Sequence, residues 1–324
     1  MMSALRSFLF LPARRLARGI AGLVLPRGGS RRAAGDGERR EEQRAACSPA
    51  PEDSCPGESI STRPRTEINF CAPLAEHCNL KCRGCDHFAP LAEPEFADLA
   101  AFERDFARMS SLLNGKAVKI GLMGGEPLLN PRVAEYLPIA RRYFRTTKIR
   151  VVTNGLLLLK QNEDFWKACR ENGIMIEVTR YPINLDFDRM KRVAQSEGVS
   201  LSFYGTSGDE VKTSYHLPLD LEGGQDIRKS FIQCSHANSM IFLKKGRLYT
   251  CTIAPNIHHF SRFFGVDIRE SAADSIDIHE AGSAQELFRF LSEPIPLCRY
   301  CLVEKRTFGH PWKRSRREIR EWTA

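Results

Sequence analysis

The chain has 324 residues, 42% hydrophobic and 27% charged, enough for one large α/β domain with a smaller appendage. No apolar run approaches the length of a membrane span. The net charge of +9 sits at the ends: residues 1–65 hold 12 Lys+Arg against 7 Asp+Glu, residues 302–324 hold 7 against 3, and the body between holds 29 of each. A charge-balanced body argues against a nucleic-acid groove through the core.

Eleven cysteines in a chain of this length, clustered as C-x3-C-x2-C and C-x2-C, point to metal ligation in a reducing compartment, and so to a cytoplasmic protein, rather than to a disulfide framework. Residues 1–65 are rich in Ala, Arg, Gly, Pro and Ser and read as a disordered basic tail. Apolar stretches at 7–11 and 19–25, split by Arg14, Arg15 and Arg18, offer a short membrane-surface helix as the second reading and an export signal as the third. Cys47 and Cys55 in this tail receive no role.

From residue 66 the pattern changes. Residues 68–72 read as a strand, followed directly by Cys78-Asn79-Leu80-Lys81-Cys82-Arg83-Gly84-Cys85. Leu99, Phe102, Phe106, Met109, Leu112 and Leu113 recur at helical spacing. A strand at 118–123 runs into Gly124-Gly125-Glu126-Pro127, and a helix is expected over 133–144. The strand at 148–152 closes on Thr153-Asn154-Gly155. Then come a helix at 162–171, a strand at 174–178, a helix at 186–197 and a strand at 200–204, with 240–243 as a sixth strand. Short strands alternating with longer helices predict βαβ units and a partial parallel (β/α)6-type barrel. The active site of such a sheet lies at the carboxyl ends of its strands, where each of these motifs falls.

Three thiolates on one tight loop can reach three corners of an iron–sulfur cube and leave the fourth iron open. Glycines let main chain approach a ligand with no Cβ in the way, as an ammonium group seeking backbone carbonyls requires. Asn154 can donate and accept, but Asn-Gly is equally an ordinary turn pair. Arg180, at the end of the fourth strand with Glu177 and Thr179, has the geometry to hold a carboxylate. Cys71 and Cys169 read as buried core residues.

The C-x3-C-x2-C loop after a first strand, with Gly-Gly-Glu-Pro after a second, resembles the radical S-adenosylmethionine (SAM) superfamily. The resemblance implies that Cys78, Cys82 and Cys85 hold a 4Fe-4S cluster whose open iron binds SAM. It implies that Gly124, Gly125, Glu126 and Pro127 receive the SAM amino group, and that Asn154 lies where such proteins contact the ribose or carboxylate. Many members carry an aromatic residue where this chain has Gly84, so His87 or Phe88 is expected to supply surface for the adenine.

A second set consists of Cys234, Cys251, Cys298 and Cys301, with Gly246 in a turn between two short strands. Tetrahedral zinc satisfies the same spacing. The C-x11-G-x4-C followed by C-x2-C is similar to the twitch domain, a shortened SPASM domain, and that resemblance implies an auxiliary 4Fe-4S cluster. The expected organisation is tail 1–65, radical SAM core 66–230, twitch/SPASM-like domain 231–301 and basic tail 302–324. The last is expected as a solvated amphipathic helix over 308–322, with contact to nucleic acid or phosphorylated substrate the lesser reading.

These readings converge on an enzyme that cleaves SAM reductively and abstracts a hydrogen atom from a small polar, sugar-like substrate, for dehydrogenation, with flavodoxin or ferredoxin as electron donor. Alternatives are a peptide-modifying SPASM-type enzyme and a non-catalytic iron–sulfur or zinc protein. No residue is assigned as the catalytic acid or base.

Overall fold

Alternating apolar positions dictate the first half of the chain. In a computed structural model that describes residues 67–204, 212–237 and 239–324, the expected series appears with small end shifts. It runs β1 (Asn69–Ala75), α1 (Leu99–Leu112), β2 (Lys119–Gly124), α2 (Val133–Tyr143), β3 (Lys148–Thr153), α3 (Glu163–Glu171), β4 (Met175–Thr179), α4 (Phe187–Ser196) and β5 (Leu201–Tyr204). The tail of residues 1–65, with Cys47 and Cys55, lies outside the described residues.

Asp98, Asn162 and Asp186 cap α1, α3 and α4 by accepting from Ala101, Phe165 and Arg189 backbone N–H groups at 2.8, 3.1 and 2.8 Å. Each such cap stabilises its helix by about 1 kcal/mol. Ile120 and Leu122, Ile149 and Val151, and Ile176 and Val178 point to the helix side of the sheet and share one core with Phe102, Phe106 and Tyr136. Period-two alternation turns Gly121, Arg150 and Glu177 to the concave side.

The chain continues through β6 (Ser214–His216), α5 (Ile227–Ile232), β7 (Phe242–Lys244), β8 (Arg247–Tyr249), α6 (Ile257–Phe264), β9 (Ile276–Asp277), α7 (Ala284–Leu291) and β10 (Thr307–His310). The main sheet has the order β5-β4-β3-β2-β1-β7-β8-β9. The sixth parallel strand, β7, docks beside β1, where Cys71 N–H donates to Ile241 O at 2.8 Å. The sheet is therefore an open partial barrel, with no closed barrel among the described residues. The hairpin β7–β8 turns through Lys245 and Gly246 at φ 50° and 74°, the left-handed pair that a two-residue hairpin demands.

A second core joins this hairpin to α6 and the C-terminus through Phe88, Phe242, Phe260 and Trp322. Here the sequence expectation is corrected. Residues 308–322 do not form an α-helix: β10 pairs antiparallel with β6, and the chain then runs along the three-cysteine loop to a short turn at Ile319–Glu321. Long-range pairing and burial of Trp322 outweigh the local pattern. No helix among the described residues is long and apolar enough to cross a membrane.

Candidate metal and cofactor site

The loop after β1 is shaped by backbone contacts. Lys81 and Gly84 take left-handed φ values of 56° and 63°, which fold Cys78, Cys82 and Cys85 onto one side. The Gly-Gly-Glu-Pro segment after β2 lies directly against it: Gly125 N–H donates to Ala75 O at 2.8 Å and Glu126 N–H to His77 O at 3.0 Å. A Cβ on Gly125 would stand 2.1 Å from His77 O, and one on Gly124 2.2 Å from Ala75 O, so only glycine permits this approach.

Burial pushes the Cys78 thiol up to about 12, with the Glu126 carboxylate and Cys82 adding to the shift, and raises Cys85, where Asp86 and the other two thiolates add. Burial raises Cys82 as well, against the Trp312 and Tyr181 hydrogen bonds and the Lys212 charge. Three half-buried cysteines with raised thiols suit a cationic iron core, which compensates thiolate charge and displaces the protons. Leu80 N–H reaches Cys78 Sγ at 3.4 Å, and the Trp312 indole reaches Cys82 Sγ at 3.2 Å.

Glu126 is buried, and its carboxylate accepts from Thr153 Oγ1 at 2.6 Å, Asn154 N–H at 2.8 Å and Leu128 N–H at 3.1 Å. Burial nevertheless lifts it to about 7 against these donors. Asn154 combines both of its sequence readings. Its Oδ1 accepts from Leu156 N–H at 2.9 Å in a turn, while Nδ2 donates to Asn79 Oδ1 at 2.8 Å and faces Cys78 Sγ at 3.6 Å.

On the concave face Arg150 Nη1 pairs with Glu177 Oε2. Arg150 Nε and Glu177 Oε1 are buried with no hydrogen-bond partner among the described residues. Thr179 is buried at the strand end. Arg180 lies over the rings of Phe203 and Phe187, with its Cζ 4.4 and 5.2 Å from their centroids. His87 and Phe88 do not offer an open surface. His87 packs edge-on to Phe242, and Phe88 is buried against Phe260 and Trp322. Cys71 and Cys169 are buried in the cores, as expected.

The second cysteine set is also assembled. Cys234 follows α5, Cys251 follows β8, Cys298 lies within the turn Pro296–Tyr300 and Cys301 directly follows it. Burial pushes Cys251 up to about 12, Cys301 up to about 11 and Cys298 higher still. The other thiolates of the set add to each shift, while the Arg306 charge opposes it at Cys301. Arg306 donates to Cys234 Sγ at 3.0 Å and Ala237 N–H to the same sulfur at 3.3 Å. Between the two sets lies buried Asp86, accepting from Thr252 Oγ1 at 2.7 Å, with His236 3.6 Å away.

Elsewhere, Glu76, His258 and His259 bring three ligand atoms within 4.8 Å of one another. There the Lys244 ammonium already donates to Glu76 Oε2 at 2.7 Å and holds the cation's place. Burial would raise Glu76, but His259 and Lys244 outweigh it and hold the carboxyl down at about 2.

Sequence reasoning did not anticipate Trp312 and Tyr181 at Cys82, Asp86 and Thr252 between the sets, or Arg306 on Cys234. The available signal was adjacency: Asp86 follows Cys85 and Thr252 follows Cys251.

The profile of the Radical SAM superfamily matches residues 73–191, from β1 into α4. Residues 73–191 are therefore similar to a radical SAM domain. Proteins of this superfamily work with a 4Fe-4S cluster and SAM. Similar curated proteins include the GTP 3',8-cyclase of Helicobacter pylori strain ATCC 700392 / 26695, 23% identical over 147 residues, covering 45% of this chain and 44% of that protein. The GTP 3',8-cyclase of Campylobacter fetus is 28% identical over 113 residues, covering 35% and 33%. The chain thus spans less than half the length of these relatives. Among solved structures, BtrN in complex with AdoMet and 2-DOIA aligns at a TM-score of 0.46 and 18% identity, covering 74% of this chain and 94% of that one. Native anSMEcpe with bound AdoMet and Cp18Cys peptide aligns at 0.33 and 21%, covering 42% of each.

Proposed function

We propose that the chain is an enzyme that cleaves SAM reductively and abstracts a hydrogen atom from a small polar, sugar-like substrate, ending in its dehydrogenation. The observation that carries this reading is the close approach of Gly125 to His77 O, which sets the Gly-Gly-Glu-Pro backbone on the three-cysteine loop. A passive cluster carrier has no use for that contact.

In this reading Cys78, Cys82 and Cys85 hold the SAM cluster, which when bound supplies the electron for SAM cleavage. Gly124, Gly125, Glu126 and Pro127 present main chain to the SAM amino group. Glu126 fixes Asn154 by accepting its N–H, so that the Asn154 side chain stays beside Cys78 at the rim. Cys234, Cys251, Cys298 and Cys301 hold an auxiliary 4Fe-4S cluster of redox function, with the Arg306 guanidinium offsetting thiolate charge. The Arg150–Glu177 pair, with an unused donor and acceptor on the concave face, suits a polar, hydroxyl-bearing substrate. A reduced flavodoxin or ferredoxin in the cytoplasm would provide electrons. The cyclase relatives match less than half of this chain, so their substrate is not carried over.

Anaerobic reconstitution with iron and sulfide, followed by dithionite and SAM, tests the proposal. It predicts about eight irons per chain and release of 5'-deoxyadenosine. Four irons with zinc retained would refute the auxiliary cluster, and absence of SAM cleavage with every reductant would refute catalysis. Joint replacement of Cys78, Cys82 and Cys85 should abolish cleavage and leave about four irons.

A further inference from the structure

The C-terminal segment begins just after Cys301 and ends on the other cysteine loop. Its β10 pairs with β6, and its next residues form a two-sided clamp on the loop: Arg83 N–H donates to Lys313 O at 2.9 Å and Ser315 N–H to Lys81 O at 2.8 Å, with Cys82 and Arg314 in antiparallel register. Glu321, buried, accepts from Arg316 N–H at 2.6 Å and from Ser315 Oγ at 2.5 Å, which closes the segment on itself. Trp322 then donates its indole N–H to Cys85 O at 2.9 Å and anchors in the second core. Within this frame the Trp312 indole N–H is aimed at Cys82 Sγ at 3.2 Å, its ring 6.0 Å from that of Tyr181, whose hydroxyl also faces this sulfur.

An N–H donor on a ligand sulfur stabilises negative charge there, and a reduced cluster carries one more negative charge than an oxidised one. The donor therefore favours reduction. We propose that the C-terminal strap sets the reduction potential of the SAM cluster, with Trp312 as a positioning residue whose indole N–H on Cys82 makes the cluster easier to reduce. The inference rests on Cys82 being a cluster ligand. It gives a function to a segment whose composition marks it only as a basic tail.

The test uses the full chain, reconstituted anaerobically, and compares wild type with Trp312→Phe, which keeps an aromatic ring and removes the donor. The midpoint potential is followed by electron paramagnetic resonance on the signal that SAM perturbs, because only a cluster with an open iron responds to SAM. The expected result is unchanged iron content and a potential lower by about 59 mV, a tenfold loss in the reduction equilibrium for a one-electron couple. An unchanged potential at full iron content overturns the proposal. A wild-type protein that binds iron but shows no SAM-sensitive signal overturns the cluster assignment itself, which separates the two failures. If the variant loads iron poorly, wild type with 15N-labelled tryptophan decides. A hyperfine coupling from an indole nitrogen to the reduced cluster supports the proposal, and no coupling overturns it.

Discussion

Thr252 donates its hydroxyl to buried Asp86 at 2.7 Å, and each residue directly follows a cysteine, Cys251 and Cys85 respectively. One hydrogen bond thus ties the two cysteine sets. Burial would raise the Asp86 carboxyl, but the charges of His87 and His236 and the hydroxyls of Thr252 and Tyr215 outweigh it and hold it below the usual carboxylate range. The contact should be energetically real. A cycle of Asp86→Asn, Thr252→Val and the double variant, measured by denaturant unfolding, is expected to show a coupling of about 1 to 2 kcal/mol. Additive effects would mean the two loops are positioned independently.

Glu126 carries a second expectation, this time in pH. Its folded value, lifted by burial to about 7 from an ordinary 4.5, means the folded state prefers the protonated acid. The sign follows from linkage: the contribution of this group is fully present below about 4.5 and is lost as pH rises through about 7, a change of about 3 kcal/mol. Glu126→Gln removes that slope, and its amide opposes the Asn154 N–H, at a cost of about 1 to 3 kcal/mol. The stability gap between wild type and variant should therefore narrow from pH 5 to pH 8. A gap that stays constant or widens would show that Glu126 titrates normally.

Gly125→Ala tests the close approach on which the functional reading stands. The new Cβ would meet backbone atoms, His77 O at 2.1 Å and His77 C at 2.4 Å, and neither can rotate away. The loop after β1 must shift. Loss of SAM binding by calorimetry is expected while the helical circular dichroism signal persists, since α1 to α4 do not touch this contact. SAM affinity within twofold of wild type would show that the segment does not need its native path.

How much of this is legible in the sequence depends on the range of the interactions. The alternation from β1 to β5 is legible because each element carries its own period, and motif placement follows, because a residue just past a parallel strand is on the rim. Asn154 illustrates a partial case: Asn-Gly signals its turn, but its contact with Asn79 depends on the pairing of β1, β2 and β3. The C-terminal strap is opaque. Trp312, Arg314 and Arg316 lie on a stretch with no apolar period, and its path is fixed by hydrogen bonds to Lys81 and Arg83, more than 200 residues earlier. The docking of β7 beside β1 is opaque for the same reason.

The concave face offers the last test. Arg150 and Glu177 are 17% and 13% exposed in their side chains, so removing one partner leaves a largely desolvated charge alone. Arg150→Met should cost about 2 to 3 kcal/mol, somewhat less than breaking a fully buried pair. Arg150→Met with Glu177→Leu removes both charges and should recover most of that loss, because apolar side chains of similar size tolerate the site. Uncoupled SAM cleavage, measured as 5'-deoxyadenosine without substrate, should remain near wild type in both variants, because the hydrogen bonds of this pair involve neither the three-cysteine loop nor the Gly-Gly-Glu-Pro segment. Stability that fails to recover in the double variant would mean that each side chain has other essential partners. Loss of SAM cleavage would move the pair from the substrate face into the SAM site, and the polar-substrate reading would lose its support.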